Sequence, residues 1–183
     1  MSGERARGGL AERGMTSPAG SLTTPGAAGW DPPGGWRAHE RTVVVGSGDR
    51  FWEEARVAVL RWEVKTRSGF RVLSDGPVVA DERTWVLAEL GPVVVREPVR
   101  VVAVVDTDDR CGFAYGTLDG HPVSGEEAFV VHRDRTGDDA GTVRLTLRSC
   151  TRAGRAGWRL AFPAILIAQR WYRRRYARAL ATG

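Results

Sequence analysis

His121, Glu126 and Glu127 are the residues whose types and spacing are best suited to chemistry, and they share the segment GFAYGTLDGHPVSGEEAFVV, residues 112–131. An imidazole titrates near neutral pH, and a nearby carboxylate can orient it or exchange protons with it. The three residues are therefore candidates for acid–base catalysis. The alternative is structural, with glycines shaping a turn and glutamates accepting hydrogen bonds. The structural alternative is favoured, because no serine or cysteine nucleophile stands beside these residues in the sequence except Ser124 in the same loop. We therefore assign no catalytic residue.

Metal and phosphate sites are not indicated by the sequence. His39, His121 and His132 lack the spacing of metal ligands, and the two cysteines are far apart. The Gly-Ser-Gly at 46–48 lacks both the longer glycine pattern and the lysine of phosphate-binding loops. We therefore expect no metal and no cofactor.

Aromatic side chains supply a second group of candidates. Six of them are expected to face one interior: Trp62, Trp85, Phe113, Tyr115, Phe129 and Phe162. Together with His121 and Glu126, these are our candidate ligand-binding residues, since pockets for small molecules combine apolar walls with a few polar groups. A solid core explains the same pattern, and both interpretations stay open.

Alternation of apolar and polar residues predicts the strands that carry these groups. The predicted strands are 42–45, 84–90, 99–106, 111–118, 127–133 and 142–149. Along the last of them, Val143, Leu145 and Leu147 alternate with polar residues. One covered face and one exposed face are typical of an antiparallel sheet.

Two helices are predicted, the first between strand 42–45 and the other strands, and the second after the last strand. The first follows Asp49, a suitable N-cap, and has Phe51, Ala55, Val59 and Trp62 at helical spacing. The second covers 158–181. Its predicted apolar side carries Trp158, Phe162, Leu166, Tyr172, Tyr176 and Leu180, and the opposite side carries Arg170, Arg174 and Arg178. This order predicts an α+β, helix-grip fold, in which a long C-terminal helix packs across a curved antiparallel sheet.

Composition is that of a soluble domain. Of 183 residues, 42% are apolar and 27% charged, and no run approaches the roughly 18 apolar residues of a membrane span. The N-terminus lacks a secretory pattern, so a cytoplasmic protein is expected. Residues 1–35 are rich in Gly, Pro, Ser and Thr and are predicted to form a disordered or loosely ordered tail, followed by a single domain over 36–183.

Several segments resemble one known family. The string AYGTL-x-GHP-x-x-GEE-x-F, together with VVVGSGDRFWEEARVAVLRWEV and the Arg-rich end of the chain, resembles the uncharacterised DUF1990 family from about Trp36 to Leu180. Val123 departs from the pattern, in which an acidic residue is common. The resemblance implies similarity to the START/Bet v 1-like helix-grip superfamily. Most members of that superfamily bind hydrophobic molecules or lipids, and a minority are enzymes.

Three functions are therefore open. The first is binding of a hydrophobic or amphipathic small molecule or lipid between the sheet and the C-terminal helix. The second is an enzyme of the same fold that uses His121 with Glu126 or Glu127 as acid and base. The third is an interaction protein that docks through its basic helix, with peripheral contact to anionic membranes through Arg170, Arg174 and Arg178. No specific nucleic-acid partner is expected, since no recognised motif accompanies these arginines.

Overall fold

Seven β-strands form one curled antiparallel sheet, a half-barrel, in the computed structural model of the chain. The structure describes residues 9–18, 21–90, 93–137, 139–154 and 171–181. The strands are β1 (Arg37–Ser47), β2 (Phe70–Val72), β3 (Arg83–Leu90), β4 (Val93–Asp106), β5 (Arg110–Thr117), β6 (Val123–Arg133) and β7 (Thr142–Ala153). Their order in the sheet is β1-β7-β6-β5-β4-β3-β2. Strands β2 to β7 therefore follow one another as a meander, and β1 returns to lie beside β7.

The six predicted strands are confirmed, and most are longer than the alternation indicates. Strand β4 begins at Val93 and continues through Pro98, whereas the prediction begins after the proline. Strand β1 begins at Arg37. The alternation does not predict β2, because three residues are too few to show a period.

The predicted first helix is divided in two, as α1 (Asp49–Leu60) and α2 (Glu63–Thr66). The helix ends because Trp62 adopts a left-handed conformation, with φ of 62°, which is rare for a bulky residue. The N-cap of α1 is Gly48, and Asp49 lies in the first turn. The Asp49 carboxylate instead pairs with Arg133 on β6, at 2.6 Å.

The main core lies between the concave face of the sheet, called the inner face, and helices α1 and α2. Its largest fully buried members include Trp52, Trp62, Phe113 and Phe129. Cys111, Phe113 and Tyr115 of β5 point to this face, as do Phe129 and Val131 of β6, since side chains alternate along a strand. The fold is therefore α+β, with few helices against one sheet.

A third helix, α3, occupies 171–179 near the C-terminus. Tyr172, Tyr176 and Leu180 join the main core, which agrees with the predicted apolar side, whereas Arg174 and Arg178 are exposed. Residues 155–170 lie outside the described residues, including the predicted start at Trp158, Phe162 and Arg170. The long helix of the predicted helix-grip is thus not confirmed. Among the described residues, no helix has the length and apolar character needed to cross a membrane.

The opposite, outer face of the sheet is covered by the N-terminal segment, which the prediction leaves exposed. Arg148 of β7, expected to contact solvent, is 1% exposed. Its guanidinium binds Glu40 at 2.7 Å and the carbonyls of Thr24, Ala27 and Ala28 at 2.8–3.0 Å. These contacts hold part of the N-terminal segment against the sheet, although the sequence predicts that this segment is loose. The domain boundary after residue 35 stays a prediction.

Candidate functional site

A row of polar side chains crosses the inner face of the sheet. His39, Ser149, Glu127 and Tyr115 occupy directly paired positions on β1, β7, β6 and β5. On one side of this row, the next inward positions of β7, β6 and β5 are the core residues Leu147, Phe129 and Phe113. A row of groups that can ionise or hydrogen-bond inside an apolar core is costly unless each group is paired, and the partners come from the helices.

Lys65 is the central partner. This residue of α2 is 4% exposed, and its ammonium lies 2.9 Å from Glu127 Oε2 and donates to the Tyr176 hydroxyl at 2.7 Å. Four aromatic rings surround the ammonium, with centroids 4.4–5.7 Å from Nζ: Phe70, Tyr115, Phe129 and Tyr176. Cation–π attraction strengthens when the cation is desolvated, so the rings partly replace the water that the ammonium has lost.

Glu127 is held as a carboxylate. Burial alone would raise its pKa, but the Lys65 charge, the hydrogen bonds from Lys65 and Tyr115, and the Arg173 charge together lower that pKa below the ordinary value. The Tyr115 hydroxyl donates to the same Oε2. Burial and the neighbouring carboxylates raise the pKa values of Tyr115 and Tyr176, so both phenols stay neutral.

Arg173 of α3 extends the row toward β1. Its Nη2 donates to Ser149 Oγ at 2.9 Å. His39 has a lowered pKa. Burial is the main cause, and the Arg173 charge is the second. The His39 Nε2 atom is buried without a hydrogen-bond partner among the described residues.

Glu97 and His121 form the other end of the site. Glu97 is an inward residue of β4, with a side chain 19% exposed, and its Oε2 lies 3.9 Å from His121 Nε2. Burial raises the pKa of Glu97 to about 7. The Lys65 charge lowers this pKa, whereas the Glu127 charge raises it. Burial, followed by the Lys65 charge, lowers the pKa of His121 to about 3.

The tautomer of His121 follows from its backbone contact. Its Nδ1 accepts a hydrogen bond from the Val123 amide at 3.1 Å, so Nδ1 carries no proton. A neutral imidazole then carries its proton on Nε2, and this N–H faces Glu97. His121 is therefore a neutral donor directed into the site.

These nine residues are called the inner polar cluster: His39, Lys65, Glu97, Tyr115, His121, Glu127, Ser149, Arg173 and Tyr176. Two carboxyl groups of the cluster, Glu97 and Glu127, have pKa values moved in opposite directions by their surroundings. This separation is typical of sites that bind charged groups or transfer protons.

Glu97 gives a pH-dependent stability that Glu97→Gln should remove. The folded protein keeps the Glu97 proton up to a pKa of about 7, whereas the unfolded chain loses it near the ordinary value of 4.5. Stability therefore falls as the pH rises from 4.5 to 7, by up to about 1.4 kcal/mol per pH unit. Urea unfolding at pH 5 and pH 8 measures this: the loss should be smaller in Glu97→Gln than in wild type. Glu54→Gln, an exposed carboxyl, is the control, and parallel losses in Glu97→Gln and wild type would contradict the assignment.

Glu126 is not part of this site, although the sequence groups it with His121 and Glu127. Adjacent residues of a strand point to opposite faces, and Glu126 lies on the outer face, 3% exposed. Its carboxylate accepts hydrogen bonds at 2.5–2.9 Å from Ser21, Leu22 and Thr23. Glu126 thus fixes the N-terminal segment, as in the structural alternative.

The predicted aromatic set is divided in the same way. Trp62, Phe113, Tyr115 and Phe129 pack together in the main core, with ring centroids 4.5–6.4 Å apart. Trp85 instead belongs to a second cluster with Leu10, Leu87 and Leu118, because it precedes the inward Val86. Phe162 lies outside the described residues.

The sequence analysis does not identify Lys65, Glu97 or Arg173 as site residues, and it places Tyr172 and Tyr176 of α3 only on an apolar side. The signal for Lys65 is present, since it is the single lysine of a chain that otherwise uses arginine. The signal for Glu97 is the alternation of Val95, Glu97 and Val99, which continues across Pro98. Among the described residues, no group of three His, Cys, Asp or Glu side chains is arranged to hold a metal ion.

Comparisons with known proteins show which proteins this chain is similar to. A UPF0548 protein from Deinococcus radiodurans is 35% identical over 155 residues, covering 79% of this chain and 76% of the relative. Two solved structures are more distant. A structural-genomics crystal structure from the same organism has 17% identity and a TM-score of 0.42, covering 64% of this chain and 83% of that one. A hypothetical protein from Helicobacter pylori has 15% identity and a TM-score of 0.47, covering 77% and 86%.

The family match covers the whole sheet and α3. The profile described as "Domain of unknown function (DUF1990)" matches residues 21–179, which include every member of the inner polar cluster. The match also begins at Ser21, where the contacts to Glu126 begin. The chain therefore belongs to the DUF1990 family.

Proposed function

We propose that the protein binds an amphipathic small molecule at the inner polar cluster, with the polar head of the ligand at Lys65 and its apolar part against the surrounding aromatic rings. One observation carries this proposal: a charged Lys65–Glu127 pair lies within the main core, with aromatic rings around the ammonium. Polar groups set into an apolar wall are the usual composition of a ligand site.

The cost of the pair supports a functional role. Desolvation of two charges costs several kcal/mol per ion, and well-packed apolar residues of similar volume often replace such a pair without loss of stability. A buried charged pair is therefore better explained by a binding role than by a gain in stability. The side chain of Glu127 is still 21% exposed, so solvent contacts part of it.

Unpartnered donors in the same core add a second line of support. The Trp62 indole N–H and the Thr84 hydroxyl are buried without hydrogen-bond partners among the described residues, at 2% and 1% exposure. A buried donor without an acceptor costs about 1–3 kcal/mol, and a ligand with polar atoms would recover part of this cost.

The experiment is native mass spectrometry of the protein purified from its own host without denaturation. Wild-type protein should carry an excess mass that organic extraction releases. The double variant Lys65→Met/Glu127→Gln should lose this mass, whereas Arg50→Met, which removes an exposed cation, should keep it. A clean apo mass for wild type, with no thermal shift across a panel of lipids and metabolites, would overturn the proposal.

Acid–base catalysis is a second candidate, favoured by the separated pKa values of Glu97 and Glu127. The structure pairs His121 with Glu97 and not with Glu126, so the relevant acid is Glu97. If the bound molecule is also transformed, Glu97→Gln should retain it unreacted, and the mass of the released compound would differ between variant and wild type. Identical released compounds would reject the enzyme.

A further inference from the structure

The charges of the inner polar cluster define which ligand head it can accept. Lys65 and Arg173 are cations, and Glu127 is held as a carboxylate. The two histidines have lowered pKa values and are neutral at pH 7. The net charge of the cluster is therefore set by Glu97: it is zero when this carboxyl is ionised and one positive charge when it is protonated.

We propose that the site binds an amphiphile with one negative charge, a carboxylate or similar monoanion on an apolar tail, and that Glu97 takes up a proton as the anion binds. This inference rests on the binding function proposed above. It adds the chemical class of the ligand and a coupling between ligand and proton.

The hydrogen-bonding groups of the cluster favour an anion over a cation. His121 directs its Nε2–H into the site, and the Tyr176 hydroxyl, which accepts from Lys65, keeps its own proton to donate. Donors bind acceptors, and an anionic acceptor gives the stronger bonds. A cationic head would meet Lys65 and Arg173, and the aromatic cage that could receive it already holds the Lys65 ammonium.

The apolar tail has a matching surface beside these donors. The aromatic rings of Phe70 and Tyr172 lie 4.3 Å apart, and Phe129 and Tyr176 lie 5.2 Å apart. These rings border Lys65 on the side of α3. A ligand whose head reaches Lys65 therefore places its next atoms against aromatic carbon.

Proton uptake follows from the groups that face Glu97. They come from α2, β5, β6, the loop after β5 and α3: Lys65, Tyr115, Glu127, His121, Tyr172 and Tyr176. A second anion in this environment opposes ionisation of Glu97, because like charges disfavour each other. Since the pKa of Glu97 is about 7, this carboxyl is partly ionised in the free protein near neutral pH, and binding of an anion should take up a fraction of a proton.

The experiment is isothermal titration calorimetry with four ten-carbon amphiphiles, each below its micelle concentration: decanoate, decanesulfonate, decanol and decyltrimethylammonium. Titrations at pH 7 in MOPS and in imidazole, which differ in ionisation enthalpy, give the number of protons taken up. Decanesulfonate is essential, since its head cannot accept the proton itself. Both anions should bind at least about tenfold more tightly than decanol, a difference of about 1.4 kcal/mol, and the cation should bind weakest.

Glu97→Gln tests the proton coupling. This variant should bind decanesulfonate with no proton uptake, whereas wild type should take up a measurable fraction of a proton near pH 7. If the variant does not fold, the wild-type affinity for decanesulfonate should still weaken from pH 6 to pH 8. Decanol or the cation binding as tightly as the anions, or an affinity without pH dependence, would overturn this inference. Failure of all four compounds to bind would instead count against the proposed binding function.

Discussion

Lys65→Met alone should lower the free energy of unfolding by about 3 kcal/mol at pH 7, and adding Glu127→Gln should restore most of that loss. The single variant removes the Lys65 ammonium and leaves the Glu127 carboxylate buried in the core, where the Tyr115 hydroxyl still donates to it. The buried carboxylate must then stay charged without its counterion or take up a proton, and both cost free energy. The double variant removes both charges and keeps nearly the same volume. Urea unfolding at pH 7 measures all three proteins.

Arg50→Met is the matched control, since Arg50 forms an exposed ion pair with Glu54 at 2.9 Å. It should change stability by less than about 0.5 kcal/mol, as is usual for surface pairs. A double variant as unstable as Lys65→Met would show that the pair is needed for folding. Recovery of stability together with loss of the bound ligand would show that the pair is kept for binding.

Gly125→Ala should cost more than about 4 kcal/mol, or prevent folding, because two effects act together at this position of β6. Gly125 has φ of 149°, and an added Cβ would lie 1.9 Å from the Cys150 carbonyl oxygen of β7. The strands would have to separate at the Gly125–Thr151 pair, two residues along from the Glu127–Ser149 pair. Soluble yield and urea unfolding measure the effect.

Gly137→Ala is the control for backbone conformation, since Gly137 also has a positive φ, of 80°, but an added Cβ meets nothing within 4 Å. It should cost about 1–2 kcal/mol. Equal losses in the two variants would mean that the close approach of β6 to β7 does not matter. The expected difference would show that this glycine of the GEE motif sets the strand spacing.

The strand pattern could be predicted because each strand has one apolar face, and alternation records this directly. The inner core positions of β5, β6 and β7 were identified in this way, including Phe113, Phe129 and Leu145. The outer face was predicted less well. The N-terminal segment covers this face, and its composition is that of a loose tail. Arg148 and Glu126 fix the segment through its backbone carbonyls and amides, and such contacts leave no side-chain pattern in the sequence.

The site was predicted only in part, because its residues come together from distant elements. Tyr115, His121 and Glu127 lie in one motif, and each is a candidate from the sequence: Tyr115 as an aromatic ligand-binding residue, and His121 and Glu127 as acid–base residues together with Glu126. Lys65 and Glu97 join them only through the pairing of the strands and the turn of the chain at Trp62. The division of Glu126 from Glu127 was available from alternation alone, since neighbours in a strand face opposite sides.

Lysine-selective NMR tests the central claim, that Lys65 lies in a ligand-binding site, most directly. Because Lys65 is the single lysine of the chain, protein grown with lysine labelled with ¹³C at the ε-carbon gives one protein signal from this residue. Addition of decanoate should shift that signal, with saturation at the calorimetric affinity. Binding of decanoate that leaves the Lys65 signal unchanged would contradict the account.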